Sequence, residues 1–430
     1  MAEPQSCEVT INTLVHGGRG LGFLDGKAVF VPLTAPGDRV RCRPLTVKKR
    51  HVEAELVELV ESSTLRRIPP CPLFGDCGGC QWQHLPYTAQ TGWKERIFAG
   101  LLARNGLSGE VLPIVAAGEE FHYRNRVQFK CRLTAAGFVI GFYRTGSHFV
   151  VDVDRCLLLR PELQAVLTLL RARMPAAPCP DGVPQIDLSC GDDRSVQLVV
   201  HLLPFAVEPM TPWLLELARQ QQWTLSLQCG RKDSLRRLHG TADQLLDLHP
   251  SGLQLRIGPG GFTQINAAQN LALIDTVCRS AGLTGVERVL DLFCGAGNFS
   301  LPLAQRAARL DGVESYAPAI ADARANAAAN RIDNVAFHAG DALECLDRLL
   351  QKNVFDLVVL DPPRTGCYPL MRRLLAARPA RIIYVSCDPA TLTRDLLPLV
   401  HGGYALVASR PFDLFPQTWH IESVTLLQRQ

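Results

Sequence analysis

Three textures along the 430 residues predict an α/β protein in three parts. Short alternating strands with turn punctuation fill residues 1–62, a mixed α+β stretch runs over 63–262, and strands alternate with helices over 263–430. The last texture is the most informative. Near-continuous apolar strands with helices between them imply a mainly parallel, Rossmann-like sheet covered on both faces.

Bulk properties narrow the class. A chain this long exceeds one typical domain. Its 47% hydrophobic and 20% charged residues give an ordinary globular profile. No run approaches the ~18 apolar residues of a membrane span. The opening "MAEPQSCEVT" has neither the basic nor the apolar region of a signal peptide. The expected location is the cytoplasm. There the 15 cysteines do not form a disulfide framework, and the clustering of three of them points to metal or cluster ligation.

In the first part, "FLDGKAVFVP" is a hairpin signal, with Asp25-Gly26 between apolar runs, and several short strands follow one another within about 60 residues. That pattern predicts a small barrel of the OB type. Arg39, Arg41, Arg43, Lys48, Lys49 and Arg50 crowd one stretch with no acid among them. Such a run is either a nucleic-acid footprint or a solvated face.

The middle part holds Cys71, Cys77 and Cys80, then strand-like runs in "YRNRVQFKCRL", "SVQLVVHLL" and "WTLSLQC". "PELQAVLTLLRARM" reads as an amphipathic helix, and "TGWKERIFAGLLARNGL" as a helix able to pack on either neighbour. Arg124, Arg126 and Lys130 are either surface charge or contacts to RNA phosphates.

In the last part, "VLDLFCGAGNFS" follows a strand and enters a helix. Gly295 and Gly297 let the backbone approach a ligand closely. Asp291, Glu314 and Asp341 end three successive strands, around the crevice where such sheets bind ligands. Glu314 suits the two ribose hydroxyls, and Asp341 an adenine amino group. A carboxylate at these positions also serves as a helix cap. The loop has no Lys, which points away from nucleoside triphosphates and towards S-adenosylmethionine, a ribose and adenine without phosphate.

"FDLVVLDPPRTG" puts Asp361 at the end of the fourth strand, with Pro362 and Pro363 stiffening the loop. Cys387, in "YVSCDPATLTRDL", sits where the fifth strand meets a helix. A helix start favours a thiolate, so the expectation is an activated nucleophile. Glu422 begins the last strand, and an antiparallel last strand returns it to the same edge. A thiolate and a carboxylate beside a methyl donor suit methylation at C5 of a pyrimidine. The thiolate adds at C6, C5 takes the methyl group, and the carboxylate removes the C5 proton.

With "CPLFGDCGGCQW", "FTQINAAQN", "DLFCGAGNFSLPLA", "DPPRTG", "VSCDPATLTRD" and "HIESVTLL" in this order, the chain resembles the RNA uracil-C5 methyltransferases over essentially its whole length. It is most similar to the 23S rRNA branch with a TRAM barrel and an iron–sulfur cluster. The resemblance implies Cys387 as nucleophile and Glu422 as proton acceptor. It places Gln264, Phe293, Asn298, Glu314, Asp341 and Asp361 at the S-adenosylmethionine site, although position 341 departs from the Asn of similar proteins. It implies uridine 1939 of 23S rRNA as target, a monomer, and neither membrane nor obligate protein partner.

Cys71, Cys77 and Cys80 form C-x5-C-x2-C, and Cys156 is the candidate fourth thiolate. Residue types alone fit Zn2+ as well as a 4Fe–4S cluster; the resemblance favours the cluster. The rival functions are a uracil methyltransferase acting on tRNA or another rRNA site, a cytosine-C5 enzyme, a non-catalytic RNA-binding protein and an iron–sulfur redox protein. The cytosine enzyme lacks support because Ser386, not Pro, precedes Cys387.

Overall fold

A computed structural model describes residues 6–241 and 243–430. The first five residues, on which the reading of the amino terminus partly rests, lie outside that range.

Alternating burial along β1 (Cys7–Leu14), β2 (Gly20–Leu24), β3 (Lys27–Val31), β4 (Arg39–Val47) and β5 (His51–Glu61) closes these strands into a barrel of order β1-β2-β3-β5-β4. Val9, Ile11, Val29, Val31, Val40 and Cys42 fill it. This is the small closed barrel that the turn pattern predicts.

Helix α1 (Tyr87–Arg104) and the short β6 (Glu110–Val111) come next in the chain but pack on the C-terminal sheet, where β6 forms the edge strand. The middle part is a seven-stranded sheet. It contains β7 (Arg126–Thr134), β8 (Gly137–Tyr143), β9 (Val150–Asp152), β10 (Gln185–Cys190), β11 (Val196–His201), β12 (Thr224–Gln228) and β13 (Arg236–His239), with α2 (Pro161–Arg173) and α3 (Val207–Gln221) between them. Its order is β13-β12-β11-β10-β7-β8-β9. A hairpin, β14 (Gln244–Leu248) and β15 (Leu253–Ile257), links this sheet to the C-terminal part.

The C-terminal part begins with α4 (Ala267–Ala281). Strands β16 (Arg288–Leu292), β17 (Arg309–Glu314), β18 (Val335–Ala339), β19 (Leu357–Leu360) and β20 (Arg381–Ser386) are parallel. Between them run α5 (Ser300–Ala304), α6 (Ala317–Ala329), α7 (Ala342–Leu350) and α8 (Tyr368–Ala377), and α9 (Pro389–His401) comes after β20. Strands β21 (Tyr404–Phe412) and β22 (Glu422–Arg429) complete the order β18-β17-β16-β19-β20-β22-β21-β6. β22 is antiparallel to β20. The strand order reverses at β16, so the crevice for ligands opens at the carboxyl ends of β16 and β19.

Two features join the parts. Leu14 and Ala35 of the barrel, with Trp82 and Leu85, belong to the same core as Leu292, Leu360 and Tyr384 of the large sheet. Burying Trp82, which is 0% exposed, contributes about 2–3 kcal/mol. Lys94 of α1 and Asp413 form an ion pair at 2.6 Å with both side chains fully buried. The second feature carries a desolvation cost, so it fixes geometry more surely than it adds stability.

The basic stretch of β4 differs from its sequence appearance. Arg39 pairs with Glu8 and Glu61, Arg41 with Glu8 and Glu58, and Arg43 with Glu55. The barrel register brings acids from β1 and β5 across from β4, where no local sequence window shows them.

Candidate active site

The turn after β16 sets the cofactor crevice. Phe293 adopts φ +69°, a left-handed conformation that costs a non-glycine residue roughly 1 kcal/mol. The N–H groups of Phe293 and Cys294 both donate to the Val313 carbonyl, at 2.8 and 3.0 Å. This turn, with Gly295 and Gly297 also at positive φ, faces Gln264, Asn298 and Asp361 across one cavity. Glu314 reaches it by accepting from the Gly295 N–H at 3.3 Å. Asn298 is held by reciprocal 2.9 Å amide bonds with Asn270 of α4, a partner that sequence reasoning did not single out.

One carboxyl, Asp361, lines the cavity, and those of Asp291 and Glu314 lie close behind it. Asp291 accepts from Ser300 Oγ at 2.5 Å, but its second carboxylate oxygen is buried without a partner. Burial, opposed by the Ser300 bond and reinforced by Glu314, pushes Asp291 up to about 7. Burial, then Asp291 and Glu314, push Asp361 up to about 7. Among the described residues no Lys or Arg lines this cavity. Crowded carboxyls with an unused oxygen fit a ligand that brings positive charge, as the sulfonium and ammonium of S-adenosylmethionine do. Asp341 stands apart from that lining. Its Oδ1 caps α7, accepting from the N–H groups of Leu343 and Glu344 at 2.8 and 3.2 Å.

Neighbouring strands bring Asp361, Cys387 and Glu422 to one edge. Leu360 pairs with Tyr384 across β19 and β20, and Ser386 pairs with Ser423 across β20 and β22. Burial, then Asp361, raise the Glu422 carboxyl well above its ordinary value. The surroundings of Cys387 run against the expectation of an activated thiolate. Burial, then Glu422, Asp361 and Asp388, push the thiol up to about 12, and Arg364 opposes them. The helix start does not aim at the sulfur. Asp388 is the N-cap of α9 and takes the N–H groups of Ala390 and Thr391, at 2.9 and 3.2 Å.

At the mouth of this site stand Arg364 and His420, which belong to the motifs "DPPRTG" and "HIESVTLL", with Trp419 and His16, which belong to neither. Arg364 donates to Asp388 at 3.3 Å and lies 5.1 Å over the Trp419 ring. Trp419 stacks on His420 at 4.2 Å, and His16 from the barrel meets Trp419 edge-on at 5.1 Å.

Cys71, Cys77, Cys80 and Cys156 line a second cavity, all as free thiols. Among the described residues no three His, Cys, Asp or Glu stand close enough to hold a single metal ion. Burial raises Cys77 and Cys156 and takes Cys80 up to about 12. Arg124 lines the same cavity with its Nε buried and unpartnered. It therefore faces the cysteines, where the sequence left open an RNA contact.

Residues 214–430 match the family model described as tRNA (Uracil-5-)-methyltransferase. The chain is 36% identical to the 23S rRNA (uracil(1939)-C(5))-methyltransferase RlmD of Alkalilimnicola ehrlichii, covering 98% of this chain and 96% of that one. It is 36% identical to the protein of the same name from an Azoarcus species, over 97% and 99% of the two chains. Its fold matches the crystal structure of Pyrococcus abyssi tRNA (uracil-54, C5)-methyltransferase with S-adenosyl-L-homocysteine. The TM-score is 0.74 at 26% identity, over 98% of this chain and 100% of that one.

Proposed function

The chain belongs to the tRNA (uracil-5-)-methyltransferase family, and from that premise we propose that it methylates C5 of a uridine in 23S rRNA, the one numbered 1939 in its relatives' names. The observation that carries the mechanism is the convergence of Cys387, Asp361 and Glu422 on one sheet edge beside the cavity that Asp361 lines.

S-adenosylmethionine supplies an electrophilic methyl group and a positive charge. Gln264, Phe293, Asn298, Glu314 and Asp361 are the residues that would hold it or the base beside it, with Asp341 contributing through its uncapped oxygen. A cation placed among Asp291, Glu314 and Asp361 lowers the pKa of every group facing it. Beside that charge Cys387 would give up its thiol proton to solvent, and Glu422 would stand ready as the carboxylate. Cys387 Sγ then bonds to C6 of the uracil, the electron pair moves to C5, and C5 takes the methyl group as the sulfonium S–CH3 bond breaks and a neutral thioether leaves. Glu422 removes the C5 proton, the C5–C6 double bond re-forms, and the Cys387 thiolate leaves. The uridine must leave its stack to reach this edge.

Cys71, Cys77, Cys80 and Cys156 would hold a 4Fe–4S cluster. Four thiols round one cavity with no disulfide support this. The cluster's role is structural or in RNA binding, because methyl transfer moves no electrons. A tRNA substrate is the second reading, favoured by the Pyrococcus abyssi structure, but the rRNA relatives are more similar in sequence.

A 23S rRNA fragment carrying 5-fluorouridine tests the mechanism. Fluorine at C5 does not leave as a proton, so wild-type protein with S-adenosylmethionine should give an adduct that survives a denaturing gel. Cys387→Ala should give none. An adduct in that variant would remove Cys387 from the mechanism, and an adduct with tRNA alone would move the substrate.

A further inference from the structure

The Glu422 carboxyl is buried, and among the described residues burial and Asp361, not a hydrogen bond, define its surroundings. Nothing local holds it, so its aim depends on the backbone on either side. On one side, β22 pairs with β20 and β21. On the other lies the loop 413–421, anchored at its start by Lys94 on Asp413 and Phe415 and by Tyr123 on Pro416, and nearer Glu422 at Gln417.

Gln417 is 0% exposed and sits at φ +72°. Its backbone N–H donates to Gln90 Oε1 at 2.9 Å. Its carbonyl accepts from the N–H groups of both Gln81 and Trp82, at 3.0 Å each. Its Oε1 accepts from Gln90 Nε2 and Arg67 Nη2, at 2.9 and 3.1 Å. Its Nε2 donates to Glu120 Oε2 at 2.8 Å. Every polar group of the residue is used, in a left-handed conformation that no glycine relieves. A buried residue is kept in such a conformation only where its surroundings over-determine it. Gln81 and Trp82 directly follow Cys80, so the loop that presents Glu422 is fastened to the segment that bears the cysteines.

We propose that Gln417 is a positioning residue for C5 deprotonation, through which the cysteine-bearing segment holds the 413–421 loop and aims Glu422. The proposal rests on the assignment of Glu422 as base. It predicts a split between two steps. Addition of Cys387 and methyl transfer depend on β20 and the cofactor cavity, which Gln417 does not touch. Release of the product depends on Glu422.

The test uses full-length, cluster-loaded protein and a 23S rRNA fragment with ordinary uridine. Gln417→Gly removes the side chain and relieves φ; Gln417→Met keeps the length and removes the hydrogen bonds. Methyl incorporation in the first turnover and lifetime of the covalent adduct are read separately. Both variants should incorporate methyl within about twofold of wild type, while the adduct persists at least about tenfold longer, the scale of a misplaced catalytic group. A fold defect alone slows both steps together, and that result, or no change in either, overturns the proposal. Glu422→Gln run alongside separates the two ideas: if it gives no long-lived adduct, the assignment of Glu422 itself fails.

Discussion

Asp291 and Asp361 are each held near pH 7 by burial, against an ordinary value of 3.8, and other carboxylates add to the shift. Groups raised on folding stabilise the native state when protonated. That stabilisation is complete below about pH 4 and is lost as pH rises through about 7. The ligand-free protein should therefore melt at a higher temperature at pH 5 than at pH 8, and Asp361→Asn should flatten part of that slope. A cationic ligand reverses the local balance. Calorimetry of S-adenosylmethionine binding near pH 7, in buffers of different ionisation enthalpy, should report proton release that shrinks in Asp361→Asn. Proton uptake would contradict the protonated carboxyls at the cavity. At this scale the sequence shows Cys387, Glu422 and Asp361 because each ends or begins a strand. It does not show Asn270 or Gln417, whose partners lie 28 and up to 350 residues away. It also shows only part of the thiol's setting, because a helix start is visible in sequence whereas the three carboxylates round the sulfur are not.

At the scale of elements, β4 shows how register decides what a charge does. Arg39, Arg41 and Arg43 are paired with glutamates from the neighbouring strands, whereas Lys48, Lys49 and Arg50 form no ion pair among the described residues. These last three lie exposed in the turn between β4 and β5. RNA sheds condensed counterions for each phosphate a protein cation neutralises, and a cation already facing a carboxylate neutralises less. Changing Lys48, Lys49 and Arg50 together to Ala should weaken RNA binding and lower the slope of log affinity against log salt by about 2, at roughly 0.7 per phosphate. The same change at Arg39, Arg41 and Arg43 should leave the slope near its starting value. Filter binding across a salt series measures both, and equal slopes for the two triples would show that pairing does not matter. Elements themselves are unevenly legible. The parallel strands announce themselves by continuous apolar runs. Helix α3 does not, since Pro209 and Pro212 stand within its first two turns and obscure the helical period.

At the scale of the whole molecule, the barrel helps to form the mouth of the candidate site. Trp82 donates through Nε1 to the Gly18 carbonyl at 2.9 Å, and through its backbone to Gln417. One residue thus fixes the barrel's first loop and the loop before Glu422 against each other. Gly18 is where the two loops meet. A Cβ added there would lie 2.7–2.9 Å from the Trp419 side chain, too close to be accommodated without movement. Gly17 next to it has φ +94° but nothing within 4 Å, so it carries the conformational strain without the clash. The two substitutions separate strain in the loop from displacement of the mouth. Gly17→Ala should cost about 1 kcal/mol of stability and leave methylation nearly unchanged. Gly18→Ala adds displacement of Trp419, which stacks on His420 and lies under Arg364. For that variant KM for RNA should rise by about tenfold, which corresponds to about 1.4 kcal/mol of lost binding. Affinity for S-adenosylmethionine should stay constant, because the cofactor cavity is lined by neither the barrel nor Trp419. Steady-state kinetics with the rRNA fragment, beside calorimetry with the methyl donor, measure the two quantities. If Gly18→Ala matches Gly17→Ala in both, the barrel only tethers RNA. If the RNA term alone moves, contact between barrel and catalytic loop shapes the entrance through which the uridine reaches Cys387.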